Sequence, residues 1–175
     1  MALRINVILI ILTIIALSTL ILIWTNLLHA NNNPYTLREY KDSLGASWIF
    51  TQAPEVGLNY SVKVIPTIVI LDQQGRVRFR HEGLVDSSTL IDEIRVLLSG
   101  EQVNGEGFEY ASVFTVRDVD GKLFNLEEHR GSVVLLNFMA TWCTYCKSQI
   151  EELKKVYEYF EGSPVVVISI SIEPE

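Results

Sequence analysis

The sequence predicts an α/β fold, a mixed sheet flanked by helices, behind an N-terminal transmembrane helix. Three features carry that reading. The runs VVLLNFMA (133–140) and PVVVISISI (164–172) are continuous, apolar and β-branched, the pattern of strands buried on both faces. Between them, residues 146–160 place Ile150, Leu153, Val156 and Phe160 at helical spacing, and strand–helix–strand closes as a right-handed parallel crossover. At the other end, residues 5–28 contain no charge.

Taken in order, residues 5–28 exceed the roughly 20 needed to span a bilayer, and Trp24 suits a headgroup anchor. Asn6, Thr13, Ser18 and Thr19 interrupt the run, but short polar side chains can bond back to helix carbonyls. A cleaved signal peptide is the rival reading. The run is too long for one, and Leu28 is bulky for a cleavage motif ending at Ala30. Residues 36–45 then read as a short helix with a Thr36/Glu39 capping box and a terminal Gly45. A strand follows at 47–51, then a hairpin of 64–72 and 77–83 around Gly75. Residues 88–98 make a helix capped by Asp86 or Ser87, with Leu90, Ile94, Leu97 and Leu98 on its apolar face. The glycine-bearing stretch 99–111 lacks periodicity and reads as a linker. Asp120-Gly121 centres a second hairpin at 113–126, and Glu127, Glu128 and His129 read as a solvated turn.

Composition narrows the function. The 175 residues carry 14 basic and 21 acidic side chains, a net charge of −7, which excludes nucleic acid and anionic lipid as main partners. Two cysteines cannot form a disulfide scaffold or a four-cysteine zinc site. What remains is a membrane segment, one globular domain and one pair of thiols.

That pair, Cys143 and Cys146 in ATWCTYCK, sits between a buried strand and the following helix. A thiolate there faces unsatisfied backbone N–H groups and the positive end of the helix dipole, which lowers its pKa, and Lys147 adds a neighbouring cation. Such a CxxC can also be half of a metal site, but His29, His81 and His129 are scattered without ligand spacing. No metal and no cofactor is expected beyond a redox-active disulfide.

The chain resembles the thioredoxin superfamily, specifically its extracytoplasmic TlpA/ResA-like branch. The resemblance rests on FTVRDVDGKLFNL, RGSVVLLNFMATWCTYC and VIPTIVILDQQGR. It implies a cis-proline at Pro66, whose missing N–H leaves the backbone of Ile65 free to pair with an extended substrate. It also implies that Cys143 is the exposed nucleophile, Cys146 the buried resolving thiol, Trp142 a shield and Tyr145 a surface or substrate contact. The order of the halves is inverted relative to the family. Residues 34–99 hold the cis-proline half and 112–175 the CxxC half, joined by a linker at 100–111. This implies a circular permutation. Thirteen flexible residues typically reach about 20 Å and at most ~45 Å, enough for a small domain. A domain-swapped dimer satisfies the same pattern.

The sequence departs from the family in three places. Thr144-Tyr145 lacks the branch's usual proline, and that dipeptide tunes the potential. Asn137 and Gln149 replace the two usual proton-handling carboxylates, leaving water or a substitute such as Glu152 to deprotonate Cys146. The expected function is thiol–disulfide exchange with protein substrates, foremost as a reductant. The domain would be extracytoplasmic on a single-pass cell-membrane anchor, close enough to take electrons from a membrane-embedded CcdA/DsbD-like or quinone-linked carrier. The competing readings are a redox-inactive or copper-delivery binding module on the same fold, and a thiol peroxidase.

Overall fold

The computed structural model describes residues 14–20, 36–100 and 109–174. The chain divides into two units, Met1–Pro34 and Tyr35–Glu175. In the first, residues 14–20 are helical. Ser18 and Thr19 donate their hydroxyls to the carbonyls of Ile15 and Ala16 at 2.8 and 2.9 Å, so two polar interruptions of the apolar run are satisfied within the helix. The rest of the expected span at 5–28 lies outside the described residues. Among the described residues no helix is long and apolar enough to cross a membrane.

The second unit runs α1 (Leu37–Ser43), β1 (Ile49–Gln52), α2 (Pro54–Asn59), β2 (Thr67–Leu71), β3 (Val77–Glu82) and α3 (Ser87–Ser99). It continues through β4 (Thr115–Arg117), β5 (Leu123–Asn125), a 3-10 turn (Leu126–His129), β6 (Val133–Met139), α4 (Thr144–Tyr159) and β7 (Val165–Ser171). Five strands form one sheet in the order β1-β7-β6-β2-β3. Here β1, β7 and β6 are mutually parallel, while β2 runs antiparallel to both β6 and β3. Strands from the first half of the unit thus flank, on both sides, the β6–β7 pair from the second.

Side-chain alternation sorts the core into two layers. Ile68, Ile70, Val133, Leu135 and Met139 pack under α1, α3 and α4, where Leu90, Ile94, Ile150, Leu153 and Val156 meet them. Val69, Leu71, Val134, Leu136, Phe138, Ile168 and Ile170 face the other way, onto Val56 of α2, Tyr60 and the β4–β5 hairpin. The sheet is therefore helix-flanked and mixed, as expected. The Thr36/Glu39 capping box opens α1, and Asp86 rather than Ser87 caps α3. At the β2–β3 turn, Gly75 has φ +75°, and the Arg130 side chain occupies the space a Cβ would need.

Three stretches differ from the sequence reading. Residues 54–59, given no element, form α2. The expected turn at 127–129 belongs to the 3-10 segment, where Leu126 is buried and His129 stacks on Phe124 at 4.6 Å. The end of the supposed linker joins the sheet edge: Tyr110 bridges Arg76, and the Ala111 N–H donates to the Gly75 carbonyl. Residues 101–108 lie outside the described residues.

Candidate active site around the Cys143–Cys146 disulfide

Cys143 and Cys146 form a disulfide, with their Cα atoms 5.2 Å apart. Strand β6 delivers the chain to this point. It ends at Met139, and Ala140, Thr141 and Trp142 turn it into α4, whose N-cap is Cys143. The Cys143 sulfur accepts the backbone N–H of Cys146 at 3.1 Å, as a capping side chain does. A hydrogen bond to sulfur at the positive end of a 16-residue helix favours a thiolate there once the bond is reduced. Cys146 is fully buried, whereas Cys143 retains 8% exposure.

The facing backbone comes from the other half of the unit. The Ile65–Pro66 peptide is cis, and the Ile65 carbonyl oxygen lies 3.9 Å from the Cys143 sulfur. Pro66 is buried and Ile65 half-buried. Exposed apolar residues flank these segments. Trp142 and Tyr145, 64% and 69% exposed, lie beside the cysteines, Val64 beside Ile65, and Leu84 on the loop between β3 and α3. Trp142 therefore belongs to the rim and not to the packing. Thr144 and Lys147 are exposed as well.

Both amides that stand in for carboxylates are buried. The Asn137 Nδ2 donates to Ser169 Oγ at 3.0 Å, and the Trp48 indole N–H donates to the same oxygen. Gln149 grips the backbone of Val85, accepting its N–H at 2.9 Å and donating to its carbonyl at 3.0 Å. That double bond fixes the Leu84-bearing loop against α4. Glu152 does not match the proton-handling role suggested for it. It accepts from Lys155 and from the Ser87 N–H, and these donors lower its pKa, which weakens it as a base.

One site residue escapes the sequence reading. Glu173, just beyond β7, accepts the Thr141 N–H at 3.0 Å, the Thr141 hydroxyl at 2.8 Å and the Ser171 hydroxyl at 2.8 Å. The parallel register makes this legible after the fact. Met139 pairs with Ser171, so positions 141 and 173 leave the sheet side by side. Among the described residues, no three His, Cys, Asp or Glu side chains are grouped to hold a metal ion.

The chain is similar to known proteins over part of its length. Residues 109–175 match the AhpC/TSA family. Thiol-disulfide oxidoreductase ResA of Bacillus subtilis is 29% identical over 76 residues, covering 43% of this chain and 42% of that protein. The thioredoxin-like protein YneN of the same organism is 30% identical over 74 residues, 42% of this chain and 44% of its own length. ResA of Geobacillus thermodenitrificans is 29% identical over 63 residues, 35% and 36% of the two chains. The chain thus spans less than half the length of the relatives it matches. No solved structure matches it.

Proposed function

We infer that this chain, a TlpA/ResA-like member of the thioredoxin superfamily, is a thiol–disulfide oxidoreductase that exchanges its Cys143–Cys146 disulfide with protein thiols, chiefly as a reductant. The observation that carries the reading is the sulfur of Cys143 capping α4 beside a buried Cys146. In the reducing direction, the Cys143 thiolate attacks one sulfur of a substrate disulfide. A mixed disulfide forms and the other substrate sulfur leaves as a thiolate. Cys146, deprotonated, then attacks Cys143 and releases the second substrate thiolate. Two electrons and two protons pass to the substrate, and the chain is left oxidised. The exposed rim of Trp142, Tyr145, Val64 and Leu84 offers apolar contact to an extended segment, whose backbone can pair with that of Ile65.

Two finer statements belong to the same proposal. The apolar, charge-free run at 5–28 supports a membrane anchor and an extracytoplasmic domain, recharged by a membrane-embedded dithiol carrier. The order of halves supports a circular permutation. The family match covers only 109–175, while Ile65 and Pro66 enter the same site from upstream, just ahead of β2, which pairs with β6.

The test is equilibration of the full chain with glutathione mixtures, with Cys143→Ser and Cys146→Ser beside it. The parent is expected to interconvert between disulfide and dithiol. Cys146→Ser should accumulate mixed disulfides with protein substrates, and Cys143→Ser should not. A parent that never forms the disulfide, or trapping by Cys143→Ser alone, refutes the assignment.

A further inference from the structure

We propose that Glu173 is a positioning residue that holds the loop before Cys143 and whose charge keeps the cysteine pair more reducing. The inference rests on the exchange reading above and assigns a regulator to that same site. Two buried carboxylates occur among the described residues, Asp72 and Glu173. Asp72 is neutralised by Arg78. Among the described residues Glu173 has no ion-pair partner. It is held by neutral donors only, two from Thr141 and one from Ser171. A carboxylate so placed is anchored firmly, yet its charge is uncompensated in a medium that screens poorly.

Thr141 stands two residues before Cys143. One hydrogen bond, two Cα steps of ~3.8 Å and the reach of the cysteine side chain put the carboxylate within about 15 Å of the reactive sulfur. A negative charge at that range disfavours a second one, so it raises the thiol pKa and favours the disulfide over the dithiolate. The charge is felt elsewhere in the interior: together with burial, it pushes the Tyr40 phenol up to about 12. The same carboxylate fixes the turn geometrically, because the Thr141 N–H and hydroxyl bind its two different oxygens.

Glu173→Gln separates charge from geometry. Its amide oxygen, placed where Oε2 lies, can still accept the Thr141 N–H and the Ser171 hydroxyl, and the Thr141 hydroxyl can rotate to accept from its NH2. In the full chain, the Cys143 thiol pKa is read from the pH profile of iodoacetamide alkylation, and the potential from glutathione equilibration. Glu173→Gln should lower the pKa by about one unit and shift the equilibrium constant up to tenfold toward the dithiol, a potential about 30 mV less negative. Glu173→Asp, which keeps the charge, should restore most of the parent pKa. Parent-like pKa and potential in a folded Glu173→Gln chain overturn the proposal. If Glu173→Gln does not fold, Glu173→Met, which removes the charge at similar volume, takes its place, with Thr141→Val as the charge-retaining control. Thr141→Val retains charge and N–H bond, so its equilibrium constant must stay within twofold of the parent's, and equal shifts in it and in the charge-removing variant overturn the charge effect. A parent without a measurable couple refutes the exchange reading itself, and this inference falls with it.

Discussion

Replacing Gln149 by glutamate should make the stability of this protein pH-dependent in a direction the geometry dictates. Gln149 is fully buried and makes two bonds to Val85, one as acceptor and one as donor. A glutamic acid has nearly the same shape. Protonated, its carbonyl accepts the Val85 N–H and its hydroxyl donates to the Val85 carbonyl, so both bonds survive. Ionised, it presents an acceptor to an acceptor and buries a charge. Both effects raise its folded-state pKa, and burial alone can do so by up to 3–5 units. A rise of about 2–3 units from ~4.3 brings the folded pKa near 7 and corresponds to about 3–4 kcal/mol. Because the folded value lies above the unfolded one, the stability is fully present below about pH 4 and is lost as pH climbs to about 7. Against a total of roughly 5–15 kcal/mol the loss is easily read. Urea unfolding of the oxidised parent and Gln149→Glu, at unit steps from pH 4 to 8, gives the difference directly. The two should converge at pH 4 and diverge by pH 8. A deficit that does not change with pH would refute the closed two-bond contact. Gln149→Leu is the reference for that outcome, because it strands two backbone groups at every pH, at about 1–3 kcal/mol each.

Three further outcomes follow from the same structure. The Tyr40 hydroxyl is buried and finds no hydrogen-bond partner among the described residues, and its pKa is pushed up to about 12, first by burial and then by Glu173. The stability it supports is complete below about pH 10 and falls by about 2–3 kcal/mol toward pH 12, so Tyr40→Phe should unfold at parental or higher urea at pH 7 and lose less above pH 10; lower stability at pH 7 would contradict this. Asp72 accepts the N–H groups of Gln74 and Arg76 and pairs with Arg78, so Asp72→Ala should cost about 3 kcal/mol in urea unfolding, and a loss below ~1 kcal/mol would show the turn holds without it. A chain with residues 112–175 placed ahead of 34–99 should fold and keep the parental glutathione equilibrium within a few fold; failure to form the disulfide in a folded product would count against the permutation.

The elements legible in the sequence were those whose neighbours impose one simple pattern. Strands β6 and β7 are covered on both faces, so 133–140 and 164–172 read as unbroken apolar runs, and α4 showed a clean 3.6-residue period. Helix α2 showed none, since PEVGLN is six residues with a proline at its start and a glycine inside, and Val56 and Gly57 alone are buried. Tyr110 and Ala111 read as linker because a single backbone bridge and one buried alanine leave no periodic trace. In the site, Cys143, Cys146 and the Ile65–Pro66 pair stood out through motif and family likeness. Gln149 drew notice only as an absent carboxylate, though the structure makes it a clamp. Glu173 drew no notice, because its role arises from the parallel register of two strands and not from its neighbours in sequence.

Those contacts set what any reordering of the two halves must preserve. Three polar or sulfur contacts hold the surroundings of the disulfide. Cys143 meets Ile65 across 78 residues, Gln149 meets Val85 across 64, and Thr141 meets Glu173 across 32. The first two join the earlier half of the domain to the later one, and β2 pairs along its whole length with β6. The site is thus specified by how the halves dock, through a register of five residue pairs and a buried core on each face of the sheet. Chain order enters only through the entropy of the connection, which grows slowly with its length, about 0.6 kcal/mol per doubling. A site built from cross-half contacts of this kind tolerates relocation of the chain ends, provided the connection is long enough to leave the register intact.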